Sequence, residues 1–384
     1  MKNKAFQTSN VLLLSFSHFI HDIYTSFLPP LLPLIIEKLS LSLGQAGVLS
    51  AVHQLPSLLN PAIGILADRK RLVKWLVILA PTLTAVPMSL LGTAASYPVL
   101  LALLFAAGIS VALYHVPAPV LISRASGAKK GRGMSFYMTG GEAARTLGPL
   151  IAVGAVALFG LEHFYPVVVF ALATSIMLYF KLKDADPVKQ KPSTISFLTV
   201  GREIKSIFIP LSGILTARAF MHSAMAVFLP VYIEKQTGSL WMAGASLAFY
   251  EAFGVAGVLC AGILSDRIGR KKIMFSALAA APVSLALFVL TTGFLSFIML
   301  SITGFAILST APVMLAVVQE HAPDNPASAN GLYMMVSFVV RSATMVIVGF
   351  LGDAAGLANM YLISALVGLG ALPFLMKLNL DREL

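Results

Sequence analysis

The strongest constraint on the fold is a segment that occurs twice, half a chain apart. Residues 64–69 read GILADR and residues 262–267 read GILSDR, with 198 positions between the two copies. Each copy closes an apolar run of membrane-spanning length and opens a short basic loop. A repeat at the same place in the hydropathy pattern indicates two homologous halves. We therefore expect a transporter built from two related sets of helices.

The composition agrees with a membrane protein. The chain of 384 residues is 58% hydrophobic and only 11% charged, whereas soluble domains carry roughly 25% charged residues. The apolar residues fall in blocks, and a block such as 73–94 is long enough to cross a bilayer core of about 30 Å. These blocks recur along the whole chain, which excludes a separate soluble domain.

The blocks predict an all-α integral membrane protein with twelve transmembrane helices in two pseudo-symmetric six-helix bundles. We expect the N-terminal bundle over 1–182 and the C-terminal bundle over 206–384, joined by a cytoplasmic linker over 183–205. The linker is either an amphipathic helix at the inner surface or a flexible connector. The predicted spans are 11–36, 44–67, 73–94, 97–122, 133–159, 162–182, 206–234, 241–265, 273–292, 295–320, 329–351 and 357–378.

The basic residues give the orientation of the spans. Most of the 27 Lys and Arg fall in the termini and in the loops after the even-numbered spans, and only Lys38 and Lys235 fall on the opposite side. This positive-inside bias predicts cytoplasmic termini and a multi-pass protein of the cytoplasmic (inner) membrane. It also accounts for the net charge of +11, so nucleic acid is not an expected partner.

Proline clusters predict bent helices around a cavity. Pro29, Pro30 and Pro33 lie in the first span, and Pro56 and Pro61 lie in the second. In a membrane bundle, neighbouring helices compensate for the backbone hydrogen bonds that proline removes. The simpler interpretation is that proline is commoner in membrane helices than in soluble ones.

Twelve spans, cytoplasmic termini, a basic linker and GxLxDR in both halves resemble the major facilitator superfamily. The second copy matches the family loop motif over 262–272, while the first departs from it after Arg69. An Asp at a helix end can accept N–H groups of a neighbouring helix, and the adjacent Arg can pair across the loop. The resemblance thus implies inner gates, although basic loops with an incidental Asp are the alternative. The gate candidates are Gly64, Asp68, Arg69, Gly262, Asp266, Arg267, Gly269 and Arg270.

Two segments resemble a narrower group, the fosmidomycin-resistance efflux branch. They are SHxxHD at 17–22 with LPxLLP at 28–33, and YHVP at 114–117. The glycine-rich stretch 140–150 resembles a segment found in antiporter-type members of the superfamily. In the second segment Val116 separates the His from the Pro, which departs from the branch pattern. The resemblance implies proton-driven export of a toxic small molecule, as in antibiotic resistance.

Ionisable residues inside the spans are costly and are therefore candidate functional residues. His18, His21 and Asp22 share one helix face because they are spaced i, i+3 and i+4. As proton-coupling residues we predict Asp22, Glu142, Glu251 and His21. As substrate-binding residues we predict His18, Tyr24, His53, His115, Arg145, Arg218, His222 and Arg341.

Pairing between these residues can also be anticipated. Glu142 and Arg145 are spaced i, i+3 and can form an ion pair that exchanges partners. In the superfamily fold span 5 faces span 8 and span 2 faces span 11, which would bring Glu251 towards Glu142 and His53 towards Arg341. His53 and Glu251 are also 198 positions apart and hence equivalent in the two halves. The alternative is that the arginines only neutralise nearby acids.

The predicted function follows from the charges within the spans. Three arginines oppose three acids there, so protonation of one acid leaves a net positive cavity that favours an anionic substrate. We expect a proton-coupled alternating-access exporter of a small anionic or amphipathic compound. An uptake symporter for an organic anion and a lipid flippase are the alternatives. No GxxxxGK[ST] loop is present, and we expect no enzyme activity, no cofactor, no metal and a monomer in contact with membrane lipid.

Overall fold

A computed structural model describes residues 6–69, 72–182, 205–322 and 326–378, with only the backbone described at 65, 67–69 and 326–328. This part of the chain is helical and contains no β-strand. The predicted linker 183–205 lies outside the described residues except at its last position. The helices are α1 Thr8–Thr25, α2 Leu28–Leu39, α3 Leu43–Gln54, α4 Asn60–Arg69, α5 Val73–Ser89, α6 Tyr97–His115, α7 Ala118–Ala125, α8 Lys130–Phe159, α9 Val168–Lys181, α10 Lys205–Thr237, α11 Leu240–Ile268, α12 Arg270–Leu290, α13 Gly293–His321, α14 Pro326–Ala355, α15 Leu357–Leu369 and α16 Ala371–Lys377.

Twelve membrane spans can be assigned to these helices. Ten are long and apolar enough to cross a bilayer, and an eleventh, Tyr165–Lys181, is shorter but apolar. The remaining span is broken into α3 and α4 by a 3₁₀ segment over Leu55–Leu59. The first span is also broken, since α1 ends at Thr25 and α2 begins at Leu28. Both interruptions lie where the sequence places prolines, which cannot donate to the preceding turn.

The helices form two compact units. Of the described residues, the first unit contains those within 1–41, 52–190 and 233–248, and the second contains those within 42–51, 191–232 and 249–384. Each unit therefore holds most of one half of the sequence together with a short segment from the other half. The segment 42–51 is the start of span 2, and 233–248 joins span 7 to span 8.

In the second unit, the start of α3 is capped by a residue from α14. Asp353 accepts the N–H of Leu43 through Oδ1 at 2.7 Å and the N–H of Gly44 through Oδ2 at 2.8 Å. Ser42 and Gln45 bond each other's backbone N–H groups, which completes a capping box. The N–H groups of the first turn of α3 are thus satisfied from two directions.

Close helix approach makes this cap geometrically feasible. A Cβ on Gly44 would lie 2.7 Å from the Phe350 ring and 2.9 Å from the Asp353 carboxylate. A Cβ on Gly47 would lie 2.4 Å from Met345 O, and one on Gly349 would lie 2.5 Å from Leu43 O. Glycine at these positions lets the backbones of α3 and α14 touch, as small residues do in membrane bundles.

In the first unit, the start of α11 packs on α8. A Cβ on Gly244 would lie 2.7 Å from Val153, and Trp241 approaches the corresponding position of Gly154 to 3.5 Å. The expected contacts of span 2 with span 11 and of span 5 with span 8 are therefore present in the two units.

In the first unit, a lysine at the end of α2 contacts the connection that follows α5 and the connection that follows α8. The Lys38 ammonium donates to Gly92 O and to the Glu162 carboxylate, both at 2.7 Å. The hydrogen bond and the charge of Lys38 hold the pKa of Glu162 below its usual value. Because the pair is largely exposed, its contribution to stability is small.

Candidate functional site

The Asp22 carboxylate lies at the centre of a buried polar cluster in the first unit. His18 Nε2 is 3.1 Å from Oδ2, and His21 Nδ1 is 2.8 Å from Oδ1. All three residues belong to α1, and their relative exposures are 4% for His18, 0% for His21 and 9% for Asp22. The spacing along one helix brings the two imidazoles to the same carboxylate.

A third imidazole reaches the carboxylate from another helix. His115, the last residue of α6, places Nε2 3.3 Å from Asp22 Oδ1 and 3.4 Å from His18 Nε2. Its side chain is 36% exposed, compared with 12% for Asp22. The cluster is thus closed on the α1 side and accessible at His115.

Aromatic rings fix the planes of the imidazoles. His18 stacks on Tyr137 with ring centroids 4.0 Å apart, and His21 stacks on Tyr114 at 4.2 Å. The Tyr114 hydroxyl donates to Ser17 at 3.1 Å and is fully buried. The imidazoles therefore have little freedom to rotate away from Asp22.

Two consecutive glycines allow α8 to approach the cluster. A Cβ on Gly141 would lie 2.6 Å from the His18 ring and 3.2 Å from Asp22 Oδ2, and a Cβ on Gly140 would lie 2.4 Å from Ser15 O. Any larger residue at 141 would displace the imidazole or the helix. The glycine-rich stretch noted in the sequence thus forms one wall of the site.

The ring nitrogens that face away from Asp22 also have partners. His18 Nδ1 contacts Tyr137 O at 2.8 Å, and His115 Nδ1 contacts Val111 O at 3.1 Å. His21 Nε2 contacts the Thr84 hydroxyl at 3.0 Å. These outer contacts help to determine which ring nitrogen of each imidazole carries the proton.

A short chain of hydroxyl groups continues from His21. The Thr84 hydroxyl bonds to that of Ser110 at 2.7 Å, and Ser110 bonds to Ala80 O at 3.1 Å. The sequence did not single out Thr84 or Ser110, because isolated hydroxyl residues are common in membrane helices. The chain links the cluster to α5 and α6.

The donor atoms of His18, Asp22 and His115 lie within 4.8 Å of one another. A metal ion could bridge atoms at that spacing, as could shared protons. The contacts of 3.1–3.4 Å between these atoms are all in the hydrogen-bonding range. We therefore interpret the cluster as hydrogen-bonded.

Glu142 and Arg145 form an ion pair within one turn of α8, as their spacing predicts. The Glu142 side chain is 18% exposed and that of Arg145 is 48% exposed. Arg145 is also within electrostatic reach of His115. The pair thus lies beside the open side of the Asp22 cluster.

A second polar group lies in the second unit. On α10, Arg218 donates through Nε to Ile307 O at 2.8 Å, and His222 Nδ1 contacts the Tyr250 hydroxyl at 3.1 Å. Among the described residues, Arg218 forms no ion pair with a carboxylate. Arg341 and Glu251 both lie within electrostatic reach of Tyr250.

Two predicted substrate-binding residues are positioned by packing. Tyr24 is 2% exposed and donates its hydroxyl to Val167 O at 2.5 Å. His53 lies in the last turn of α3 and is 8% exposed, and its carbonyl oxygen lies 2.3 Å from the place where a Cβ on Gly108 would be. The structure gives neither residue a place in the Asp22 cluster.

The second copy of the gate motif forms an ion-pair network. Arg270 contacts Asp266 at 3.0 Å and Glu320 at 2.6 Å, while Arg267 is exposed. Gly269 has φ of 104°, a conformation that favours glycine. In the first copy Gly64 lies in α4, a Cβ there being 3.5 Å from Val116, and Asp68 and Arg69 have side chains outside the described residues. Gly262 lies within α11 with open space beside it.

A family model matches most of the chain, and several known proteins are similar to it. The profile described as Major Facilitator Superfamily matches residues 14–345 and 211–383. The fosmidomycin resistance protein of Escherichia coli (strain K12) is 26% identical over 93% of this chain and 89% of that protein. The uncharacterized MFS-type transporter YfnC of Bacillus subtilis (strain 168) is 26% identical over 95% of this chain and 92% of its own length. A solved bacterial homologue of the human lysosomal transporter Spinster has a TM-score of 0.79 and 17% identity, covering 97% of this chain and 95% of that chain.

Proposed function

Because the chain belongs to the Major Facilitator Superfamily, we propose that this transporter is proton-coupled and exports a small anionic or amphipathic compound by alternating access. The observation that carries the proposal is the buried Asp22 carboxylate with three imidazoles around it. A carboxylate at membrane depth is costly unless it is paired or protonated. Imidazole titrates near physiological pH, so such a cluster is suited to binding and releasing protons.

Three arginines support an anionic substrate. Arg218 uses Nε for a backbone carbonyl, which leaves the two terminal nitrogens of its guanidinium for a ligand. A guanidinium recognises a carboxylate or a phosphonate through two parallel hydrogen bonds. Arg145 and Arg341 add positive charge, while Glu142 and Glu251 are the further candidates for proton coupling.

The direction of transport is proposed from the relative. The Escherichia coli protein is named for resistance to fosmidomycin, and removal of the compound from the cell is the simplest way for a transporter to confer resistance. Uptake of an organic anion would use the same residues in the opposite direction. Export therefore has to be distinguished from uptake by the direction in which the substrate moves relative to the pH gradient.

The placement in the cell is proposed from the charge pattern. The positive-inside bias favours both termini in the cytoplasm and insertion in the inner membrane. We propose further that the halves 1–182 and 206–384 move against each other about a site near the midplane, as in other transporters with internal repeats. The gates would be the two GxLxDR loops, and the functional form would be the monomer.

The proposal is tested with the purified full chain in proteoliposomes. Substrate-dependent proton flux is measured for a panel of phosphonates, organic acids and cationic dyes, with an imposed pH gradient of either sign. We expect anions to move against protons and Asp22→Asn to abolish uphill transport while exchange continues. Thr216→Ala is the matched control, because Thr216 is exposed at the position of α10 that corresponds to His18. Movement of cationic dyes alone, or uphill transport by Asp22→Asn, would contradict the proposal.

A further inference from the structure

The two imidazoles of His18 and His115 have a fixed proton position. Their Nδ1 atoms contact backbone carbonyl oxygens, of Tyr137 at 2.8 Å and of Val111 at 3.1 Å. A carbonyl oxygen accepts a hydrogen bond and cannot donate one, so each Nδ1 atom carries a proton. When the rings are neutral, the Nε2 atoms that face Asp22 are therefore acceptors.

Three acceptors would then face one another at the centre of the cluster. His18 Nε2 lies 3.1 Å from one oxygen of Asp22, His115 Nε2 lies 3.3 Å from the other, and the two nitrogens are 3.4 Å apart. Lone pairs held this close repel one another, and the repulsion is strong in a buried site. We infer that this arrangement is the proton-loaded form of the site, in which His18, Asp22 and His115 share one bound proton.

His21 has a different role in the cluster. Its outer nitrogen, Nε2, lies 3.0 Å from the Thr84 hydroxyl. Thr84 donates to Ser110, and Ser110 donates to Ala80 O, so Thr84 accepts from His21 and Nε2 carries a proton. His21 Nδ1 lies 2.8 Å from Asp22 Oδ1 and donates to it when that nitrogen also carries a proton, as in the imidazolium form. In that form His21 is a positioning residue that keeps one carboxylate oxygen bonded.

His18, Asp22 and His115 form a triad around the shared proton, and the groups around this triad set how tightly it holds that proton. Arg145 lies within electrostatic reach of His115, and Glu142 pairs with Arg145. Any ligand that drew Arg145 away from Glu142 would change the affinity of the triad for its proton. The other groups facing the triad are His21 from α1, Tyr114 from α6 and Tyr137 from α8, while Thr84 from α5 contacts His21.

Loss of the proton would separate the members of the triad. His115 is the most exposed of the three and lies at the end of α6, so it is the member with room to move. Deprotonation would thus detach the end of α6 from α1. This step deepens the proposed proton coupling and rests on it for its place in a transport cycle, while the shared proton itself is testable without transport.

The experiment is ¹⁵N NMR of the histidine rings in the full chain, reconstituted in lipid nanodiscs and treated with EDTA. Single His→Gln variants assign the signals, and the exposed His163 is the internal reference. We expect His18 and His115 to carry Nδ1–H at alkaline pH and to change together as one proton binds. Signals that change independently, or Nε2–H in both rings at alkaline pH, would overturn the inference.

Asp22→Asn gives the second measurement. The amide NH₂ can donate to an imidazole nitrogen in place of the shared proton, so the rings should keep their positions. We expect proton uptake on acidification, followed with a pH indicator, to fall by about one proton per chain, since one carboxylate-centred site is removed. Unchanged uptake would overturn the inference, as would signals that move when Zn²⁺ is added at stoichiometric amounts after EDTA. Absence of proton flux in proteoliposomes with the shared proton intact would reject the proposed function alone.

Discussion

Helices α1 and α10 open the two halves of the chain and carry different ionisable groups. The span that contains α1 and α2 is followed by Ser40, and α10 is followed by Gly238, with φ of 50° and 65°. These two residues are 198 positions apart, so the same offset relates α1 to α10. By this offset Asp22 corresponds to Phe220. The acid and imidazoles of α1 thus have no charged counterparts on α10.

The reverse is true of the second half. Arg218 corresponds to Ile20, and His222 corresponds to Tyr24. The first half therefore brings together groups that bind protons, and the second half presents a guanidinium without a carboxylate partner among the described residues. Duplication produced two similar scaffolds, and their divergence places the carboxylate–imidazole cluster in one half and Arg218 in the other.

Helices α8 and α14 show what the halves have kept in common. Gly160 and Gly356 end them with φ of 77° and 80° and are 196 positions apart. Arg145 and Arg341 have the same separation, so they occupy equivalent positions. An arginine is thus present at this position in both halves, whereas Arg218 corresponds to Ile20 in the first half.

The largest expected effect is that of Arg218→Ala on substrate affinity. A hydrogen bond to a charged group is worth about 1.5–3 kcal/mol, so KM should rise about 10- to 150-fold. Proton uptake by the purified protein should not change, because the Asp22 cluster lies in the other unit. KM and proton uptake are measured on the same preparation.

Arg218→Lys sharpens this test. Lysine keeps the charge and loses the two-pronged geometry, so partial recovery is expected for a carboxylate or a phosphonate. An unchanged KM in Arg218→Ala would show that the guanidinium only neutralises its surroundings, and the separation of roles between the halves would be wrong.

A smaller effect is expected for Gly141→Ala. The new methyl group would lie 2.6 Å from the His18 ring, and overpacking of this kind costs about 1–3 kcal/mol. The His18–Asp22 contact should lengthen, and the pH dependence of transport should shift while KM for substrate stays similar. Gly331→Ala is the control, because nothing lies within 4 Å of its Cβ. Equal pH profiles in both variants would contradict the role of Gly141.

Much of the Asp22 cluster could be predicted from sequence, because helical spacing alone places His18 and His21 beside Asp22. The same holds for Glu142 with Arg145. The approach of His115 to Asp22 depends on how α6 packs on α1, which the sequence does not show. The predicted role of His115 in substrate binding, like that of His18, stays a prediction. Thr84 and Ser110 carry no local signal. The twelve spans were predictable from hydropathy, while the only sequence signal for the break between α1 and α2 was its prolines.

Asp353 was not predicted, since an acid near the end of a span usually marks the membrane surface. Asp353 is a further difference between the halves. The residue of α8 that lies 196 positions earlier, and so is equivalent to Asp353, is Ala157. The start of α11 has a local cap, because Ser239 accepts the N–H of Met242 at 3.2 Å. The start of α3 has a local cap at Ser42 as well, and Asp353 adds a second cap from a distant helix.

The smallest expected effect is on stability and tests this difference in capping. Asp353→Ala leaves the N–H groups of Leu43 and Gly44 without their acceptor, and loss of a helix cap costs about 0.5–2 kcal/mol. Asp353→Asn keeps one acceptor oxygen and should lose less. Ser239→Ala removes only the local cap of α11. In thermal unfolding in detergent, Asp353→Ala should therefore have a lower Tm than Asp353→Asn. The aspartate bonds two N–H groups, the asparagine can bond one, and the alanine can bond neither. Identical Tm values for the two Asp353 variants would mean that the packing of α3 on α14, with its glycine contacts, holds the helix start without the carboxylate.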